Sequence, residues 1–184
     1  MIVRALFLAL TVLTPLAAWA QTEASAPPPA CPEKPVIAEP WTSWTQSGMA
    51  VAGHDGAGAP SLILGKPVSA TLHPVAHVQF AADPARAPDA KSYAGLFRLS
   101  LKAPARVGIA LSAGAWVDVV TGKALAPSVE HGHGATCSGI RKIVWFALPA
   151  GTHLVQIANA GAETIRVMAA DEHANQPMAG HPMP

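Results

Sequence analysis

The sequence predicts an all-β fold, an antiparallel β-sandwich of jelly-roll type, and three observations carry that expectation. Sustained hydrophobic patterning is confined to residues 93–169, where apolar and polar residues alternate with a period of two. The alternating segments come in two copies, spaced roughly 47 to 49 residues apart. They are separated by glycine- and proline-rich turns, in a chain with 15 Gly and 18 Pro.

Tyr93-Ala-Gly-Leu-Phe-Arg-Leu-Ser-Leu101 places Phe97, Leu99 and Leu101 on one face and Arg98 and Ser100 on the other. Val107, Ile109 and Leu111 repeat the pattern, and Trp116-Val-Asp-Val-Val120 forms a third strand ended by the turn Thr121-Gly122-Lys123. Residues 144–148, 152–158 and 164–169 are the second copy. Phe97-x-Leu99 is echoed by Phe146-x-Leu148, Val107-x-Ile109-Ala110 by Val155-x-Ile157-Ala158, and Ala113-Gly114-Ala115 by Ala160-Gly161-Ala162. Phe97, Leu99, Val107, Ile109, Val117, Val119, Val155, Ile157, Ile165 and Val167 are expected to face one core, since a one-residue slip would expose the whole set.

Earlier in the chain the signals are shorter. Leu62-Ile-Leu64 and residues 68–72 read as strands around the turn Gly65-Lys66-Pro67, and His77-Val-Gln-Phe80 as another. Residues 81–92, with Asp83-Pro84, Pro88 and Asp89, read as a surface loop. Residues 53–60 form a glycine-rich loop that lacks the Gly-Lys-Ser/Thr ending of a phosphate cradle. Trp41 and Trp44 suit a short edge strand covering one end of the core.

The start of the chain gives an address. An apolar run over residues 5–18 leads to Ala18-Trp19-Ala20, the small-x-small pattern of a signal-peptide cleavage site. The expected organisation is a signal peptide over 1–20, a Pro/Ala-rich lead-in over 21–40, the β-sandwich over 41–170 and a flexible tail over 171–184. Removing the leader takes away Arg4 and leaves 11 basic against 11 acidic residues, which argues against a nucleic-acid partner. No later segment is apolar enough for a membrane helix, so a periplasmic or secreted protein is expected. In that oxidising setting Cys31 and Cys137 are expected to close a disulfide.

The most chemically suggestive stretch is the loop Glu130-His131-Gly132-His133-Gly134-Ala-Thr-Cys137. Two His separated by one residue point the same way along an extended chain, which lets both imidazoles reach one metal ion. Glu130 offers a carboxylate beside them, and His153 in Pro149-Ala-Gly-Thr-His153 a third imidazole. The alternative is that His131 and His133 are solvated and His153 is a polar residue entering the sheet. Ser138 lies outside any Gly-x-Ser-x-Gly elbow, so a serine hydrolase is not indicated.

Two resemblances bear on function. Phe97-Arg-Leu-Ser-Leu with Ala-Pro-Ala-Arg-Val-Gly-Ile-Ala-Leu, and Val-Trp-Phe-Ala-Leu-Pro-Ala-Gly-Thr-His-Leu-Val-Gln-Ile, resemble the strand-turn-strand signature of bacterial pre-peptidase C-terminal domains over about residues 62–169. That resemblance implies an exported, non-catalytic sandwich serving as a binding or accessory module for an envelope protein or small ligand, with no cofactor. The whole chain is also similar, through Ser92-Tyr-Ala-Gly-Leu-Phe97, residues 112–119 and Cys137-Ser-Gly-Ile-Arg-Lys142, to small exported proteobacterial proteins often named homogentisate 1,2-dioxygenase. That name implies the alternative, a cupin-like aromatic-ring dioxygenase holding Fe through two His and a Glu. Only Glu130, His131, His133 and His153 could stand in for such a set here.

Overall fold

The computed structural model describes residues 30–31 and 35–173. Every strand named below lies within Cys31–Pro184. The expected signal peptide, most of the lead-in before residue 35 and the tail beyond His173 lie outside the described residues.

Among the described residues, twelve strands build two sheets: β1 (Met49–Val51), β2 (Ser61–Leu62), β3 (Val68–Thr71), β4 (His73–Pro74), β5 (Tyr93–Leu101), β6 (Ala105–Leu111), β7 (Trp116–Thr121), β8 (Ala124–Ala126), β9 (Ser128–Gly132), β10 (Lys142–Leu148), β11 (Gly151–Ala160) and β12 (Thr164–Asp171). Sheet A runs β1-β3-β12-β6-β10-β9, and sheet B runs β2-β5-β11-β7-β8 with β4 also on β5. The fold is an all-β sandwich. Its pairings are antiparallel except for β1 with β3 and β2 with β5, two short additions from the N-terminal half.

The internal repeat explains the topology. The first copy supplies β5, β6 and β7, the second β10, β11 and β12, and each copy's middle strand inserts between the outer strands of the other. Thus β6 lies between β10 and β12, while β11 lies between β5 and β7. The register repeats as well: Phe146 sits opposite Val107 in sheet A, and Phe97 opposite Val155 in sheet B. Neither copy can complete a sheet alone, so the alternating faces of both are buried in one shared interior.

All ten residues expected to face one core belong to a single buried cluster, and Phe97, Leu99, Val107, Ile109, Val119, Val155, Ile157 and Val167 have no exposed surface. Trp41 and Trp44 behave differently from the expectation. They sit in turns, not in an edge strand, and with Ile37, Ile140, Ile143, Trp145 and Met168 they form a second cluster against the other face of sheet A. Trp41 tilts against Trp145 at 5.7 Å between ring centroids, and the Arg166 guanidinium lies 5.9 Å from the Trp44 ring while bonding the Trp44 and Gln46 carbonyls.

Cys31 and Cys137 form the expected disulfide, with their Cα atoms 5.5 Å apart and a sequence separation of 106. Closing a loop of that length removes chain entropy from the unfolded state worth about 4 to 5 kcal/mol. Two local expectations need correcting. Residues 78–80 are not a strand, because the chain makes a short turn of 3-10 helix at Val75–His77 and then leaves the sheet. The region read as a loop from Glu130 onward begins as strand β9, whose backbone pairs with β10 although nearly all its side chains are exposed.

Candidate functional site

The four residues singled out as possible metal ligands go to different places. Glu130 and His131 are adjacent on β9 and point to opposite faces of sheet A, opposite Trp145 and Val144 respectively. Glu130 pairs with Arg106, whose guanidinium also bonds Glu172 and covers the Trp145 ring at 5.1 Å. His133 is exposed, and its Nδ1–H donates to the Arg141 carbonyl at 2.6 Å. His153 is buried on β11, with Nε2 donating to the Pro149 carbonyl at 3.0 Å. In the neutral ring its Nδ1 then accepts from the Thr121 hydroxyl at 2.9 Å, so both nitrogens are engaged. Among the described residues, no three His, Cys, Asp or Glu side chains converge on a point where a metal ion would fit.

A different place in the fold is open. Strand β8 pairs with Val119, Val120 and Thr121 of β7 and then turns away at Pro127, so no strand of the described residues covers that side of Trp116, Val117 and Asp118. The chain returns as β9 on the far sheet, leaving a cavity of about 360 Å³ between the two sheet edges. Its walls are mostly apolar, with Val117, Leu125, Ala126, Pro127, Val144 and Phe146. Its polar groups are few: Asp118, Ser128, His131 and Lys142. That combination, an apolar hollow with a small number of placed polar groups, is the usual form of a small-molecule site.

A second hollow of about 580 Å³ adjoins the first, with Trp116 and Lys142 lining both. Both copies of the Ala-Gly-Ala turn contribute to it, through Gly114-Ala115 and Ala160-Gly161. The remaining wall is the loop 81–92, which brings Arg86 and Lys91. That loop is anchored to sheet B: Gln156 bonds both backbone groups of Ala82, the Asp118 carboxylate accepts the Ala85 N–H at 3.1 Å, and Asn159 accepts the Asp89 N–H at 2.7 Å. Asn159 reaches the loop because it sits at positive φ beside an irregularity in the β11 pairing.

Lys142 is the hinge of the two hollows. Its ammonium donates to the Ala115 carbonyl at 2.9 Å and lies 4.9 Å from the Trp116 ring centre. Burial, and next the nearby Arg86 charge, hold its pKa below the ordinary 10.5, with Asp118 pulling the other way. Trp116 donates its indole N–H to Asp118 at 2.9 Å, so each Asp118 oxygen accepts one hydrogen bond from within the protein. Asp118, Ser128 and His131 line one cavity, yet no hydrogen bond joins any two of them among the described residues.

Trp116 and Lys142 were not distinguished by sequence reasoning as site residues. The usable signal was the repeat itself, which aligns Lys142 with Tyr93 of the first copy, a partly buried residue packed against the core. There the second copy carries a cation where the first packs an aromatic ring. No protein-family model and no curated protein sequence matches this chain.

Proposed function

We propose that this protein is an exported, non-catalytic β-sandwich of the cell envelope, periplasmic or secreted, that binds a small ligand in the cleft between β7–β8 and β9–β10. The observation that carries the reading is the apolar cavity of about 360 Å³ beside Trp116 and Lys142, at the edge where β8 ends one sheet and β9 the other. The disulfide fits an oxidising compartment, and among the described residues no helix is long and apolar enough to cross a membrane. The resemblance to pre-peptidase C-terminal domains fits a binding or accessory role. Against the dioxygenase alternative stand the prior engagements of its ligand set, with His153 bonded through both nitrogens and Glu130 held by Arg106.

A neutral apolar fluorophore, phenylnaphthylamine, tests the cleft without reference to charge. Its emission is expected to rise on binding the wild-type protein, and Ala126→Trp, which fills the cavity, is expected to weaken that binding at least about tenfold. Equal binding by wild type and the filled variant, or none by either, would remove the cleft as the site.

A further inference from the structure

From the arrangement of charge around the cavity mouth we infer that the ligand is an amphiphilic monocarboxylate, its aliphatic body in the hollow lined by Leu125, Val144 and Phe146 and its carboxylate at Lys142 and Arg86. This rests on the cleft being the binding site and adds the chemistry of what occupies it.

The apolar half of the argument comes from the walls. Val117, Leu125, Ala126, Pro127 and Val144 are aliphatic and outnumber the two aromatic residues, which suits a flexible hydrocarbon body. The charged half comes from the adjoining hollow, which holds the cations Arg86, Lys91 and Lys142 against the carboxylate of Asp89, with Asp118 lining the neighbouring cavity. Both oxygens of Asp118 are already bonded, to the Trp116 indole and the Ala85 N–H, and Asp89 accepts from the Lys91 backbone N–H. Among the described residues no carboxylate forms an ion pair with Arg86, Lys91 or Lys142.

Arg86 and Lys142 repel each other, Asp118 offsets that repulsion without forming an ion pair with either, and partial burial of Lys142 adds to the cost. An arriving carboxylate relieves it. Charge-assisted hydrogen bonds from an ammonium and a guanidinium are stronger than neutral ones, and the carboxylate can take both at once. Lys142 and Trp116 line both hollows, so a single molecule with its polar end in one and its tail in the other must pass them. A free inorganic anion would satisfy the cations and leave the apolar cavity unused. A neutral lipid would do the reverse.

Calorimetric titration of the oxidised full chain with octanoate, octanol and acetate separates these cases. Octanoate is expected to bind at least about tenfold more tightly than octanol, and acetate not measurably. Lys142→Met is expected to erase the advantage of octanoate over octanol, Arg86→Gln to reduce it, and Lys102→Gln, which lies outside both hollows, to leave it unchanged. Thermal unfolding of each variant establishes that it is folded. Octanol binding as tightly as octanoate, or an undiminished preference in folded Lys142→Met, overturns the carboxylate assignment. If phenylnaphthylamine still binds the wild type in that event, the cleft reading stands and the ligand class alone is wrong; if it does not, both fall.

Discussion

The two edges of the sandwich are related by the internal repeat and are finished in opposite ways. At one edge β5 and β12 are flanked by β2, β3 and β4, and Ala52, Leu62, Ala70 and Leu72 fill the space between the sheets. Packing there is so close that a methyl group placed on Gly95 would overlap Ala52 and lie 3.2 Å from Leu72. At the other edge β7 and β10 are flanked by β8 and β9, and Val144, which the repeat aligns with Gly95, lines a cavity instead. Tyr93 packs on the core at the first edge, whereas its counterpart Lys142 lies between two hollows at the second. One architectural unit thus serves two ends. The N-terminal additions pack Ala52, Ala70 and Leu72 into the core, whereas the segment between the copies borders the cavity at Leu125, Ala126 and Pro127.

The difference can be broken most sharply by changing volume at matched positions. Gly95→Ala is expected to destabilise by about 1 to 3 kcal/mol, because the tight edge has no room for a Cβ. Val144→Ile, which adds one methyl group beside a cavity, is expected to stay within about 0.5 kcal/mol of wild type. Denaturant unfolding of the two variants reads both values. Equal costs would mean that the second edge is as fully packed as the first.

A smaller effect follows from Lys142. Because its folded-state pKa lies below the ordinary 10.5, the unfolded chain holds this proton more tightly, and the charge costs stability at neutral pH. That cost is present in full below the folded value and is recovered as pH rises from there toward 10.5. Wild type should therefore gain stability relative to Lys142→Met across that window, by an amount that partial exposure keeps small. Urea unfolding of both proteins at neutral and alkaline pH makes the comparison, and a gap that does not change with pH would show that Lys142 carries no such burden.

The core was legible because burial and alternation are the same fact seen twice. A strand with one face inside must place an apolar residue at every second position, which is why Phe97 through Val167 could be read correctly. Strand β9 has no buried face to encode, since its backbone pairs with β10 while nearly all its side chains stay exposed, and its Glu130-His131-Gly132-His133 letters resembled a loop with ligands. The parallel additions β1 and β2 are three and two residues long, too short to carry a period. His153 drew notice as an imidazole in a motif, whereas its role in the fold is to bond Thr121 and the Pro149 carbonyl inside the sandwich. The cleft was hidden for a related reason. An empty space leaves no letter of its own, and here its only trace was the replacement of a packed Tyr93 by Lys142 between otherwise matching strands.

The most direct test of an open, ligand-binding edge uses the tryptophans as internal reporters. Trp116 lines the cleft, while Trp41, Trp44 and Trp145 belong to the separate cluster on sheet A. In proton–nitrogen correlation spectra recorded during titration with phenylnaphthylamine, the Trp116 indole N–H resonance is expected to move, because an aromatic ring arrives beside it. Those of Trp41, Trp44 and Trp145 are expected to hold still. Movement confined to the sheet A tryptophans, or a stationary Trp116 at saturating probe, would contradict the account.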